Sequence, residues 1–131
     1  MPLTVDDQLA IQTLYADYCF AVDDGDGPGF AACFTSEGVL DPGYGEPIRG
    51  TEAFTAFAPT VVSHLPGLRH VVTNVSVDGS GDDATGRAYL YVYQATDDGH
   101  KVWSTGRYRD TLRRVDGRWC FVSREVISDK S

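Results

Sequence analysis

From Leu68 onward the chain alternates apolar and polar residues, and turn chemistry breaks the alternation at Asp78-Gly79 with Gly81, at Asp97-Asp98-Gly99 and at Asp116-Gly117. Asp-Gly accepts the positive backbone angles of tight hairpins, so each break reverses the chain. The pattern predicts four antiparallel strands at about residues 68–78, 84–95, 101–114 and 118–127. Gly106, inside the third strand, predicts a bulge that would help the sheet curl.

Ahead of this meander the periodicity is helical. Thr4 can cap a helix whose first turn carries Asp6 and Asp7, matching the positive end of the helix dipole. Ile11, Leu14, Tyr15, Tyr18 and Val22 recur at three- and four-residue steps and form one apolar stripe. A second row, Ala16, Cys19 and Phe20, leads toward Asp23, so the last turns are expected to be buried nearly all round. Asp23 to Gly29 reads as a loop, Pro28 as the first residue of a short helix through Phe34, and Gly38 to Leu40 as a brief strand. Thr51 is placed to cap a third helix through Phe54 and Phe57, which Pro59 interrupts. Helices followed by a meander predict an α+β fold with the helices on one face of a curved sheet.

A chain of 131 residues fits one domain, residues 1–131, with one core and one small-molecule pocket, and excludes a separate cofactor domain. Eleven Lys and Arg against nineteen Asp and Glu give a net charge of −8, which disfavours nucleic acid and anionic membranes as partners. Arg107, Arg109, Arg113, Arg114 and Arg118 cluster late in the chain, either as an anion site or as a solvated face paired with acids. There is no long apolar run, and Met-Pro-Leu-Thr-Val-Asp-Asp lacks the features of a signal peptide, so a cytoplasmic location is expected. Cys19, Cys33 and Cys120 are odd in number and widely spaced, against a disulfide framework or zinc knuckle. Asn74-Val75-Ser76, a glycosylation sequon in form, reads here as strand.

Four residues stand out chemically. Asp23 follows the apolar run Tyr18-Cys19-Phe20-Ala21-Val22, where burial and the negative end of the helix both raise a carboxylate's proton affinity unless a cation compensates; the alternative is an exposed helix end beside Asp24 and Asp26. His70 shares a strand face with Leu68, Val72 and Asn74, while Val71, Val75 and Val77 take the other, so it is expected to be at least half buried. A carboxylate partner would fix its tautomer and strengthen it as a base; a backbone carbonyl would leave it structural. Arg124 lies in the row Cys120, Val122, Arg124, Val126 and needs a carboxylate, a ligand anion or solvent. Alternatively Trp119, Phe121 and Ile127 form the core row and Arg124 faces outward. Tyr18, on the helical stripe, is a packing residue or a donor to a substrate oxygen. No nucleotide, P-loop, zinc-protease or nucleophile-elbow motif is present, and Asp23 with His70 lacks a third metal ligand. No cofactor and no metal are expected.

Taken in order, Ile11-Gln12-x-Leu14-Tyr15-x-x-Tyr18-x-x-x-Val22-Asp23, Phe34-Thr35, Arg49-Gly50, Arg69-His70-x-x-x-Asn74 and Asp116-Gly117-Arg118-Trp119 resemble the NTF2-like superfamily and its SnoaL-like branch over nearly the whole chain. The resemblance implies a cone-shaped barrel, a bent sheet wrapped by helices around an apolar pocket. In its dehydratases and isomerases a helix-end Asp pairs with a strand His, matching Asp23 and His70; members similar to bile-acid dehydratases add a tyrosine and a last-strand arginine, matching Tyr18 and Arg124. The chain departs from the family pattern at two places, the second of which counts against the scytalone-dehydratase variant of the chemistry. Gly27-Pro28-Gly29 replaces the usual aromatic residue, and a Tyr-rich stretch ending at Gln94 stands where a second pocket histidine would be.

These readings lead to a cofactor-free lyase or isomerase acting on an apolar oxygenated small molecule, steroid-, terpenoid- or polyketide-like. The alternatives are a non-catalytic ligand-binding or dimerisation module and the small subunit of an oxygenase. A homodimer through the sheet face is expected from the resemblance, with Tyr91 and Trp103 as contacts.

Overall fold

The computed structural model describes residues 1–129, in the order α1 (Val5–Asp24), α2 (Gly27–Ala32), β1 (Phe34–Asp41), β2 (Ile48–Arg49), α3 (Gly50–His64), β3 (Leu68–Ser80), β4 (Asp83–Thr96), β5 (Gly99–Val115) and β6 (Arg118–Ser128). The six strands form one open sheet in the order β2-β1-β6-β5-β4-β3. The β1–β6 pair is parallel and the others are antiparallel. The architecture is the expected α+β: a curved, mostly antiparallel sheet with the helices packed on it. It does not close into a complete barrel, because β2 and β3 remain as edges.

Local chemistry explains the helix ends. The Thr4 hydroxyl accepts the Asp7 N–H and the Asp7 carboxylate accepts the Thr4 N–H, a reciprocal cap at the start of α1. Gly25, at φ 70°, ends the helix in the left-handed region. Ile11, Leu14, Tyr15, Tyr18 and Val22 are all buried, as the stripe predicts. The second row is not: Cys19 is buried, but Phe20 is 67% exposed, so α1 keeps a solvent face to its end.

The short α2 is capped by Asp26, which accepts the Gly29 N–H, and it ends before Phe34, the first residue of β1. In α3 the capping position is Arg49, not Thr51, and Pro59 lies inside the helix rather than ending it. Pro59 has no N–H for the carbonyl of Thr55 one turn earlier. That carbonyl instead lies against Gly27, where a Cβ would come within 2.2 Å of it, so the missing side chain lets α2 and α3 approach.

Three one-residue irregularities set which side chains face the core. Between Thr73 and Ser76 the register of β3 slips against β4, with Asn74 at φ 59°. The inner row therefore runs Leu68, His70, Val72 and then Val75, Val77; Asn74 is exposed, and the expected division of these valines between two faces does not hold. In β5 the extra residue is Trp103, since Val92 pairs with Ser104 and Tyr93 with Val102. Gly106 is not the bulge. It pairs regularly with Leu90 and Ser128, and a Cβ there would meet the Ile127 carbonyl at 2.4 Å. In β6 the extra residue is Val122.

Asp7 also ties the two ends of the chain together, accepting from Arg114 Nη1 at 2.7 Å and from Trp119 Nε1 at 3.2 Å. The Thr4 N–H, with help from Trp119 and Arg114 and against partial burial, holds its carboxyl below the ordinary carboxylate value. A group lowered in the folded state stabilises the fold above its unfolded pKa and loses that contribution as pH falls through the folded value. Thermal melts across the acid range should therefore show the parent losing Tm more steeply below about pH 4 than Asp7→Asn. Parallel curves would remove Asp7 from the acid response.

Candidate active site

Asp23, in the last turn of α1, reaches β3 at the sheet's edge, where the outward N–H of His70 has no neighbouring strand. The Asp23 carboxylate accepts that N–H at 3.0 and 3.2 Å, and its Oδ1 lies 2.7 Å from His70 Nδ1. The side chains are 14% exposed for His70 and 7% for Asp23. A carboxylate accepting at Nδ1 selects the tautomer with the proton there, which leaves the Nε2 lone pair free.

His70 and Tyr18 both line a cavity of about 140 Å³ inside the cone, walled by apolar residues that include Val22, Leu68, Leu90 and Val92. Asp23 does not line it. Together with His70, Asp23 lines a larger groove of about 690 Å³ between α1 and β3. Tyr18 packs edge-on to Tyr108 and Phe121, and burial pushes its hydroxyl up to about 12, against the pull of the nearby Arg124 charge. At neutral pH it is a proton donor.

Arg124 is 1% exposed and stands opposite Asp110 in the β5–β6 ladder. The two alternatives for its row are both partly realised. The extra residue Val122 brings Phe121 and Arg124 to the same inner face. Arg124 Nε and Nη2 donate to Asp110 at 2.8 and 3.0 Å, and the Tyr15 hydroxyl donates to the same carboxylate. Burial alone would weaken the guanidinium as a base, but Asp110 outweighs it and holds the proton more firmly than usual. Its Nη1 has no hydrogen-bond partner. Aromatic faces surround the group instead, with Tyr108 at 3.5 Å, Phe121 at 4.1 Å and Tyr18 at 4.3 Å to the ring centroids.

The structure thus joins Asp23 to His70, places Tyr18 on the same cavity and sets Arg124 one layer back, beneath the Tyr18 and Tyr108 rings. Asp110 is the residue missed from the sequence. A lone carboxylate between inward-facing Tyr108 and Leu112 was the available signal. Of the late arginines, Arg109 pairs with Glu125, Arg113 with Asp83 and Arg114 with Asp7 and Asp82, as a solvated face would, while Arg118 donates to the Ala32 carbonyl and Arg107 lies over the Tyr89 ring. Cys19, Cys33 and Cys120 are buried free thiols, and no helix among the described residues is long and apolar enough to cross a membrane.

Residues 3–125 match the SnoaL-like domain. The chain belongs to the SnoaL-like family. Among solved structures, this SnoaL-like chain is similar to a protein of unknown function from Mycobacterium tuberculosis, at 34% identity and a TM-score of 0.92 over 98% of this chain and 79% of the other. It is similar to an NTF2-like protein with a cystatin-like fold from Novosphingobium aromaticivorans, at 23% identity and a TM-score of 0.86 over 97% and 85%. A candidate aromatic ring hydroxylase from the same organism gives 28% identity and a TM-score of 0.85 over 98% and 93%. None of the curated proteins matches the chain.

Proposed function

We propose that this SnoaL-like protein is a cofactor-free lyase or isomerase that removes a proton from an apolar, oxygenated small molecule. The observation that carries the reading is the placement of His70, whose Nδ1 is held by Asp23 and which lines the apolar cavity together with Tyr18. His70 Nε2 takes the proton and Asp23 holds the ring and stabilises the imidazolium that forms. Tyr18 donates to the substrate's carbonyl or leaving oxygen, where negative charge develops. Arg124 offsets that charge from behind the tyrosine rings. Elimination returns the proton to the leaving group; isomerisation returns it to carbon.

One observation favours a second reading. Asp23 also accepts the backbone N–H of His70, so it staples α1 to β3 whether or not chemistry occurs. In a non-catalytic ligand-binding module the pair would be only that staple. Incubation in D₂O with a panel of oxygenated ring compounds separates the two. The enzyme reading expects deuterium at the carbon next to the carbonyl, lost in His70→Ala; a panel with no exchange above background supports the module.

We also propose a homodimer through the outer sheet face, where Tyr91 is 43% exposed; Trp103, the other expected contact, is 47% exposed but lines the cavity beside His70. Sedimentation equilibrium should give twice the chain mass for the parent and a weaker dimer for Tyr91→Ser; a parent sedimenting as monomer contradicts it.

A further inference from the structure

The cavity beside His70 has a size as well as a chemistry. At about 140 Å³ it is close to the roughly 150 Å³ cavity that accepts benzene, and well below the roughly 300–1,000 Å³ of drug-sized sites. Its walls are not soft. Leu90 and Val92 are buried inward residues of β4, and Phe57 of α3 is backed by Phe30, which packs in turn against Phe34 and Phe54. Phe34 and Phe54 stack at 3.9 Å between centroids. Such an interior yields little to an oversized guest. Its polar lining comes from His70, Tyr18, Tyr108 and Ser104, with the 75% exposed Tyr44 also on its wall. His70 also lines the roomier groove between α1 and β3, but there it stands beside Asp23, whose carboxylate engages Nδ1.

From this we infer that the substrate of the proposed reaction is a single-ring compound, a six-membered cyclic ketone, enol or lactone with one oxygen directed at Tyr18, and that Phe57 and Leu90 set the limit. The inference rests on the proposed function for the reaction and on the cavity alone for the size. Steroid-sized molecules exceed the space within these walls, and fused-ring ones fit it less well than a single ring.

The test is a binding series that keeps the hydroxyl and changes the ring count: phenol, 2-naphthol and estradiol, followed by NMR shifts of His70 and Leu90. Phenol is expected to move both resonances, 2-naphthol to bind about tenfold more weakly, and estradiol to leave them unmoved. Phe57→Ala should bring 2-naphthol to within a few-fold of phenol, and Leu90→Ala serves if that variant does not fold. Estradiol or 2-naphthol binding the parent as tightly as phenol overturns the inference, as does phenol that leaves His70 unmoved. Because no turnover is needed, failed deuterium exchange with an intact size series removes only the reaction, while a failed size series with intact exchange removes only the limit.

Discussion

His70→Ala is expected to lower turnover of a competent substrate by about 10²–10⁴-fold while leaving the fold intact. The imidazole contributes a proton acceptor at the cavity wall, and no second histidine is near it; His64 bonds the Thr60 carbonyl on the exposed side of α3, and His100 packs against Tyr93 in the β4–β5 hairpin. Asp23→Asn should cost a comparable factor for a different reason. An amide oxygen can still accept the His70 N–H, so the α1–β3 staple survives, but the negative charge that stabilises the imidazolium is gone and the side-chain NH₂ can hold the ring in the wrong tautomer. Native circular dichroism with collapsed turnover in both variants is the expected pair of results. Native circular dichroism with full turnover would leave the dyad structural.

Asp110→Ala should be the most destabilising single change in the sheet. Asp110 and Arg124 side chains are fully buried, and removing the carboxylate strands a guanidinium that already has one unpartnered nitrogen. Breaking a buried pair from one side costs about 3–5 kcal/mol. For a chain of this size that corresponds to a Tm fall on the order of 10–20 °C. The Tyr15 hydroxyl would lose its acceptor as well. The double variant Asp110→Leu with Arg124→Met removes both charges and should recover much of the loss. Denaturant titration of the three proteins decides it; a single variant within about 1 kcal/mol of the parent would show that water or rearrangement compensates the charge.

The sequence made the elements legible because their signals are local. Asp97-Asp98-Gly99 and Asp116-Gly117 mark two of the hairpins, while the β3–β4 hairpin turns at Gly81-Asp82 and keeps Asp78-Gly79 inside β3. The Thr4–Asp7 box marks the start of α1, and the Ile11-to-Val22 stripe its buried face. Asp23 and His70 were legible singly, and the SnoaL-like resemblance supplied the reason to pair them. What escaped were one-residue shifts. The extra residues at Asn74 to Val75, Trp103 and Val122 reverse the in-out parity of a strand without disturbing its composition. Plain alternation therefore sends Val75 and Val77 to the wrong face and leaves Arg124 open between the two. Asp110 became visible only once the Val122 shift set it opposite Arg124. Pro59 stayed inside α3 because Gly27 leaves room for the released carbonyl, a tertiary fact that no local pattern carries.

The proposed chemistry turns on one nitrogen: His70 Nε2 must present a lone pair to the substrate while the Nδ1–H donates its hydrogen bond to Asp23. Long-range ¹H–¹⁵N correlation of the His70 ring, recorded where the imidazole is neutral, reads this directly. A protonated Nδ1 and bare Nε2 in the parent, with the tautomer mixed or reversed in Asp23→Asn, is the expected result. A parent ring protonated at Nε2 would place the hydrogen where the base must be free, and would contradict the proposed chemistry.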